Sequence, residues 1–255
     1  MKINFLQKIV TKLKTDGFLA LLVLLIKLPL IIIRKIRYKR ILQNPDLEYR
    51  FTKIHQHNLW SSNESVSGSG SEVGYTKPLR DWLIDTVPRL KISTLVDAPC
   101  GDFNWMKLVT PNVDINYIGL DIVDNVISKN KLKYGSPKVD FRIANICEDV
   151  LPACDFIMVR DCLFHLSYDD INNLLNNLAR TDYKYFFTTT HKVERDFKNL
   201  NINSGDFRII DLFSEPFNFD SKLVSDRVDD YPIGFPQERE MILLEKKFVP
   251  TSLSG

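Results

Sequence analysis

The chain has 255 residues, of which 44% are hydrophobic, 11% aromatic and 26% charged. This composition excludes a collagen-like, low-complexity or wholly disordered chain, and the length suffices for one large core with additional elements. The four cysteines form no C-x-x-C pair and have no histidine cluster beside them, which argues against a zinc site. Each cysteine falls in or beside a predicted core strand, so we expect reduced thiols in a cytosolic domain.

The formal net charge of +2 conceals a strong asymmetry along the chain. Residues 1–40 contain ten Lys or Arg and one acid, a net charge of +9, whereas the remainder contains 24 basic and 31 acidic residues, a net charge of −7. An acidic main domain argues against a nucleic-acid groove, because phosphate binding needs Lys and Arg on the binding face. The basic N-terminus instead indicates an anionic membrane surface as a partner.

Residues 1–40 predict a helical arm in two parts. Residues 2–14 have apolar residues at helical spacing with lysines between them, and residues 18–33 are almost entirely apolar apart from Lys27 and Pro29. The apolar run is shorter than the ~20 residues that span a bilayer, and a central lysine costs about 3 kcal/mol. We therefore expect an arm on the cytoplasmic face of the membrane, with packing on the domain or a spanning helix as alternatives.

Residues 41–75 are polar and end in the run S-S-N-E-S-V-S-G-S-G-S at 61–71. Such a segment is either a flexible linker or a loop that closes over a ligand, since Gly and Ser permit close approach of the backbone. The expected organisation is therefore an arm at 1–40, a linker and Ser/Gly loop at 41–75, and a main domain at 76–250.

The main domain alternates predicted helices and short apolar strands. Helices are predicted at 76–90 and 168–180, the second with Ser167 in a capping box. The predicted strands lie at 94–98, 117–121, 140–144, 155–160 and 185–190, with a closing strand at 241–247. This alternation predicts an α/β fold with a doubly wound, mostly parallel sheet, whose ligand binds at the carboxyl ends of the strands.

The polar residues after the first two strands predict an adenosine site. Gly101 lies in the turn after the first strand, and Asp121 ends the second, where an acid can accept hydrogen bonds from ribose hydroxyls. A dinucleotide site would need the spacing G-x-G-x-x-G, of which only Gly101 is present. Asp97 and Asp102 also suit a ligand with cationic sulfonium and ammonium groups better than a pyrophosphate.

The segment at 95–106, L-V-D-A-P-C-G-D-F-N-W-M, resembles the first motif of the class I, seven-stranded S-adenosylmethionine (SAM)-dependent methyltransferases. More narrowly, it resembles a bacterial group of largely uncharacterised members. Four further segments fit that group in order: W-S-S-N-E-S-V-S-G-S-G-S at 60–71, Y-I-G-L-D-I-V at 117–123, R-D-C-L-F-H-L-S at 160–167 and T-T-T-H at 188–191. The resemblance covers about residues 50–245 and implies a Rossmann-like seven-stranded sheet with SAM as cofactor.

The resemblance also implies which residues contact each part of the cofactor. The amino-acid end would lie against Asp97, Ala98, Cys100 and Gly101, the ribose against Asp121 and Ile122, the adenine against Asn145 and Ile146, and the sulfonium near Arg160 and Asp161. Pro99 and Phe103 stand where the superfamily usually has glycines, and Asn145 stands where Asp is common.

Methyl transfer requires a nucleophile aligned about 3 Å from the methyl group, and a hydroxyl acceptor also benefits from a base. His165 is the first candidate for that base, His191 the second and Asp161 the third, with a structural role as the alternative for each histidine. Asp206 and Arg208 are candidate acceptor contacts.

The preferred function is therefore a methyltransferase that acts on a small molecule, a glycan or a lipid-linked intermediate, without metal. A non-catalytic cofactor-binding scaffold and an NAD(P)-dependent oxidoreductase are the alternatives.

Overall fold

A computed structural model describes residues 28–29, 32–231 and 237–254, which divide into two compact units, 1–43 and 44–255. In the first unit, residues 32–42 are helical. The predicted amphipathic helix at 2–14 and most of the apolar run at 18–33 lie outside the described residues. Among the described residues, no helix is both long enough and apolar enough to cross a membrane.

The second unit is built on a seven-stranded sheet in the order β3-β2-β1-β4-β5-β7-β6. Its strands are β1 Thr94–Asp97, β2 Asn116–Asp121, β3 Val139–Ile143, β4 Phe156–Val159, β5 Tyr185–His191, β6 Asp226–Asp229 and β7 Arg239–Glu245. The first five strands pair in parallel, and β7 is antiparallel to both β5 and β6. The structure thus confirms the predicted Rossmann-like, mostly parallel sheet.

Within the described residues of this unit, four α-helices accompany the sheet: α1 Leu47–Gln56, α2 Lys77–Arg89, α3 Asp124–Tyr134 and α4 Tyr168–Arg180. The predicted capping box of α4 is present, since Ser167 Oγ accepts the N–H of Asp170 at 3.2 Å and donates to its carboxylate at 2.8 Å. The start of α1 is capped by Asp46, which accepts the N–H groups of Glu48 and Tyr49. The capping side chains therefore fix where both helices begin.

The core consists of two apolar clusters on opposite faces of the sheet. Successive residues of β1 alternate between them, with Leu95 in one and Val96 in the other, as the two-residue period of a strand requires. Helix α4 packs its apolar face into the cluster of Val96, whereas α2 packs into that of Leu95. Because helices cover both faces, a ligand can bind at the carboxyl ends of the strands, at the switch between β1 and β4.

Residues 44–75 belong to the same compact unit as the sheet, so the unit begins before the predicted boundary at residue 76. Their serines are held by side-chain hydrogen bonds: Ser62 Oγ donates to Glu72 at 2.8 Å, and Ser65 Oγ donates to Asp102 at 2.9 Å. Both serines are buried. A polar segment can therefore be ordered without an apolar periodicity, because its hydroxyl groups find partners within the domain.

Candidate active site

A cavity of about 280 Å³ opens at the carboxyl ends of the strands. One part of its wall, called here the acidic half, follows strands β1–β3 and includes Asp97, Cys100, Gly101, Asp121, Ile122, Asn145 and Ile146. The other part, called the aromatic half, includes Trp60, Tyr75, Phe164, His165, Phe207 and Arg239. The Ser/Gly loop at 61–71 and helix α1 supply further wall residues, so the cavity joins segments that are far apart in sequence.

The turn after β1 has a conformation that favours glycine. Gly101 has a φ of +54°, and a Cβ at this position would lie 2.2 Å from Ser67 Oγ. The N–H of Gly101 donates to Asp121 at 3.1 Å, and its carbonyl accepts from Asn130 at 2.7 Å. Asn130, which the sequence analysis did not single out, thus positions the turn from helix α3.

Two carboxylates are buried in the acidic half. Burial raises the pKa of Asp97 to about 7, although the hydroxyl of Tyr117, 2.7 Å away, and the charge of Arg160 oppose the shift. Burial also raises the pKa of Asp121, although the nearby His55 and the N–H groups of Gly101 and Val123, which its carboxylate accepts, oppose the shift. A buried acid that lacks a full counter-charge favours a positively charged ligand. The chemistry of this wall therefore fits a cationic ligand.

Asp102 holds a loop and does not face the ligand site, in contrast to the expectation from its position beside Gly101. It lies outside the cavity lining, where its carboxylate accepts the hydroxyl of Ser65 at 2.9 Å and the N–H of Val66 at 3.0 Å. Asn104 donates to the Ser71 carbonyl at 3.0 Å and so ties down the end of the same segment. These bonds hold the Ser/Gly loop on the cavity wall, and closure of the loop over a ligand stays a prediction.

Arg160 and Asp161, both predicted to lie near the sulfonium, belong to a buried ion cluster on the cavity wall. Arg160 binds Asp230 through two bonds of 2.8 and 2.9 Å and the Gly70 carbonyl through one of 2.7 Å. Asp161 accepts from Arg239 at 2.7 Å. Burial would raise the pKa of Asp161, but Arg160 and Arg239 outweigh it and hold that pKa below its usual value. A carboxylate held by two guanidinium groups is a poor proton acceptor, so Asp161 is disfavoured as the base.

The other residues predicted to contact the cofactor lie either on the cavity wall or in the core. Ile122, Asn145 and Ile146 line the cavity, and the Asn145 side-chain oxygen accepts the N–H of Cys147 at 3.1 Å. Ala98 does not line the cavity, because it is buried and its N–H donates to the Met158 carbonyl of β4 at 2.9 Å. The prediction of contact between Ala98 and a cofactor therefore finds no support in its position.

His165 lies in the aromatic half, and its tautomer follows from one hydrogen bond. Its Nδ1 is 2.7 Å from the carbonyl oxygen of Asp206, which can only accept, so Nδ1 carries the proton. Burial lowers the pKa of His165, which keeps the ring neutral near pH 7. Its Nε2 is therefore the basic nitrogen. The ring stacks on Trp60 with centroids 5.2 Å apart, which fixes its orientation.

His191 lies in the core and not on the cavity wall. Its Nδ1 accepts the N–H of Ile210 at 3.2 Å, and burial, reinforced by the charge of Arg239, lowers its pKa to about 4. Arg208 is also structural, since its guanidinium donates to the carbonyls of Leu166 and Leu163. Neither His191 nor Arg208 contributes to the cavity lining.

Several wall residues had no signal in the sequence. Phe207 lines the cavity, whereas the neighbouring candidate Asp206 contributes only the carbonyl that binds His165. His55 comes from α1, and its buried Nδ1 has no hydrogen-bond partner among the described residues. Arg239 begins β7 and is 78 positions from its partner Asp161. Only the tertiary fold brings such residues to one site.

The described part of the chain contains no group of three or more His, Cys, Asp or Glu side chains that could hold a metal ion. All four cysteines are free thiols.

No protein-family model matches the chain, and no curated protein matches it in sequence. Solved structures are similar in fold. The 1,6-didemethyltoxoflavin-N1-methyltransferase of Burkholderia thailandensis, solved with that compound and S-adenosylhomocysteine (SAH), has a TM-score of 0.58 at 12% identity, over 82% of this chain and 88% of the other. The fold is that of class I methyltransferases.

Two further structures with this fold were solved with SAH bound. The magnesium protoporphyrin IX methyltransferase of Synechocystis PCC 6803 has a TM-score of 0.51 at 9% identity, over 79% of this chain and 93% of the other. PigF also has a TM-score of 0.51, at 12% identity, over 82% of this chain. The chain spans 61% of the length of PigF. These identities relate the chains by fold alone.

Proposed function

We propose that the chain is a SAM-dependent methyltransferase whose cavity binds SAM along the acidic half and an acceptor along the aromatic half. The observation that carries the proposal is the pair of buried carboxylates, Asp97 and Asp121, beside the Gly101 turn in the cavity that also contains His165. Two buried acids without full counter-charge fit a cationic cofactor. The class I methyltransferase fold, present in structures solved with SAH, supports the same assignment.

Four residues of the acidic half have a proposed contact with the cofactor. Asp97 binds the amino-acid end, where an ammonium group would compensate its charge, and Asp121 accepts hydrogen bonds from the ribose hydroxyls. Asn145 and Ile146 flank the adenine. When bound, SAM supplies an activated methyl group. The side chains of the aromatic half align the acceptor and exclude water from the reacting atoms.

His165 is the proposed general base for a hydroxyl acceptor. Its Nδ1–H is engaged with the Asp206 carbonyl, which leaves Nε2 to take the proton of the hydroxyl. His191 is not retained in this role, because it lies in the core and not on the cavity wall.

The acceptor is proposed to be a small molecule. The sequence alone also suggests a glycan or a lipid-linked intermediate at the cytoplasmic face of a membrane. Support for the membrane comes from the charge of residues 1–40 and from the exposed side chains of Ile32, Ile33 and Ile36 in the helical segment at 32–42. Sedimentation of the full chain with phosphatidylserine vesicles, but not with phosphatidylcholine vesicles, would support membrane attachment. Equal recovery in both supernatants would reject it.

Isothermal titration of SAM and SAH into the full chain tests the cofactor assignment. Asp121→Ala should weaken binding by about tenfold or more, whereas Asp124→Ala, at an exposed acid in the first turn of α3, should leave it unchanged. Absence of binding by both ligands would reject the proposal. Preferential binding of NAD would favour an oxidoreductase, and SAM binding without turnover of any acceptor would favour a scaffold.

A further inference from the structure

The aromatic half combines one basic nitrogen, one cationic side chain and several flat rings. The ring of Phe164 contacts both functional groups, with its centroid 4.6 Å from that of His165 and 5.8 Å from the guanidinium carbon of Arg239. Tyr75 lies on another side of Arg239, with its ring centroid 4.8 Å from the same carbon. A base and a cation are therefore held near each other, between rings that can pack on a planar molecule.

Arg239 retains hydrogen-bonding capacity although its side chain is only 10% exposed. Its Nη2 donates to Asp161, but Nη1 has no hydrogen-bond partner among the residues that the structure describes. The described residues of the cavity wall include three acids, Asp97, Asp121 and Asp161, and only Asp161 adjoins the aromatic half. Since Asp161 is already bound to two arginines, the free donors of Arg239 suit an oxygen atom of a ligand.

The basicity of His165 restricts which kind of hydroxyl group can be the acceptor. Burial lowers the pKa of His165, although the hydrogen bond to the Asp206 carbonyl and the charge of Asp161 oppose the shift. His165 is therefore a weak base, and proton transfer to it is efficient only when the pKa of the hydroxyl is not far above its own. A phenolic hydroxyl has a pKa of about 10. An alkyl alcohol is closer to water, at about 16. A hydroxyl acidified by conjugation therefore matches this site better than a sugar hydroxyl does.

We propose that the aromatic half binds a planar phenol- or enol-type acceptor, with its reacting oxygen between His165 Nε2 and the free donors of Arg239. The inference rests on the proposed methyltransferase function and adds its acceptor class. The hydroxyl proton moves to His165 Nε2 while the oxygen forms a bond to the methyl carbon. The carbon–sulfur bond breaks with its electron pair going to sulfur, so the products are a methyl ether, SAH and a protonated His165. Arg239 stabilises the negative charge that develops on the oxygen.

The same geometry disfavours two other acceptor classes. A protonated amine would meet the positive charge of Arg239 and would have to lose a proton to a weak base before reacting. A saturated sugar presents alkyl hydroxyls that this base ionises poorly. The proposal therefore disagrees with the glycan acceptor suggested by the sequence alone. The binding experiment below distinguishes the two acceptor classes.

The test is equilibrium binding of 4-nitrophenol to the full chain with SAH, followed by the absorbance of the phenolate. We expect saturable binding and an apparent pKa for the bound phenol below that of the free compound. Arg239→Gln should weaken this binding about tenfold and abolish the pKa shift, whereas Arg239→Lys should retain part of both. Arg227→Gln, at a partly exposed arginine of β6 that pairs with Glu240, is the matched control and should change neither.

SAH titration of the same variants tests cofactor binding separately from the acceptor class. Absence of SAH binding by the unmodified chain would reject the proposed function, whether or not 4-nitrophenol binds. If Arg239→Gln binds SAH as tightly as the unmodified chain does, the variant is folded, and its weaker binding of 4-nitrophenol is specific to the acceptor site. Equal 4-nitrophenol binding by Arg239→Gln and the unmodified chain, or stronger binding of methyl glucoside or benzylamine, would overturn the acceptor class.

Discussion

The two halves of the cavity wall differ in how their charges are compensated. In the acidic half, Asp97 and Asp121 are buried with hydrogen bonds but without a dedicated ion-pair partner, and burial raises the pKa of both. Next to the aromatic half, Asp161 is paired with two arginines, which hold its pKa below the usual value. The first arrangement leaves negative charge for a ligand to compensate. In the second arrangement, the protein's own arginines compensate the charge of Asp161, so only N–H donors of Arg239 remain for a ligand.

This difference separates recognition from catalysis within one cavity. A cationic cofactor gains most from acids that are otherwise unsatisfied, whereas a reacting hydroxyl needs a neutral base and a cation that stabilises its oxygen. The ion cluster around Arg160 also joins the halves, since Arg160 binds the Ser/Gly loop through the Gly70 carbonyl. Substitutions confined to one half should therefore affect cofactor and acceptor differently.

The largest effect is expected at Gly101, in the acidic half. In Gly101→Ala the new Cβ would lie 2.2 Å from Ser67 Oγ at a φ of +54°, so the turn or the Ser67 side chain must shift. We expect SAM binding to weaken about 100-fold, equivalent to ~3 kcal/mol, measured by calorimetry. Gly74→Ala is the matched control, because its Cβ would meet nothing within 4 Å. Unchanged binding in Gly101→Ala would contradict the role of this turn.

A second glycine tests the aromatic half. A Cβ on Gly70 would lie 2.6 Å from the Asp161 carboxylate and 2.8 Å from Arg239 Nη2, so Gly70→Ala must displace a buried ion pair. We expect a loss of stability of about 1–3 kcal/mol by thermal unfolding, together with weaker 4-nitrophenol binding. SAM affinity should change less than in Gly101→Ala. The reverse order of effects would show that the two halves are not separable.

The pH dependence of SAM binding should report Asp97. Its pKa of about 7 means that the carboxyl is mostly protonated at pH 6 in the free protein, and a cationic ligand binds the ionised form. Affinity should therefore rise about tenfold between pH 6 and pH 8, with proton release on binding at pH 6. Asp97→Asn should bind more weakly and without this dependence. A flat profile for the unmodified chain would exclude Asp97 as the charge that the cofactor compensates.

The smallest effect is expected for Asp102→Asn, which alters the attachment of the Ser/Gly loop outside the cavity lining. Asparagine retains one acceptor oxygen, so one of the two bonds from Ser65 and Val66 should be lost, at a cost of about 1 kcal/mol. Faster hydrogen exchange in residues 61–71 should accompany a modest loss of SAM affinity. Asp114→Asn, at an exposed acid that pairs with Lys138, is the control and should leave exchange in the loop unchanged.

Most of the sheet could be predicted because its buried parallel strands are short apolar runs bounded by polar turns. β4, which is buried along its whole length, is such a run. Strand β6 could not be predicted, since Asp226–Asp229 reads D-R-V-D and only pairing with β7 makes it a strand. Helix α1 was missed for another reason. Its apolar positions Leu47, Phe51 and Ile54 do have helical spacing, but they lie within an otherwise polar segment.

By itself, the sequence determined the fold class and which residues end strands β1 and β2. Both follow from local pattern: hydrophobic periodicity sets the strands, and Gly101 with Asp97 and Asp121 identifies the turn and acids at their ends. Only the tertiary structure decided that His165 and not His191 lies on the cavity wall, that Asp102 holds a loop, and that Arg239 reaches Asp161. The physical reason is that burial, tautomer and charge compensation depend on neighbours that are distant in the chain.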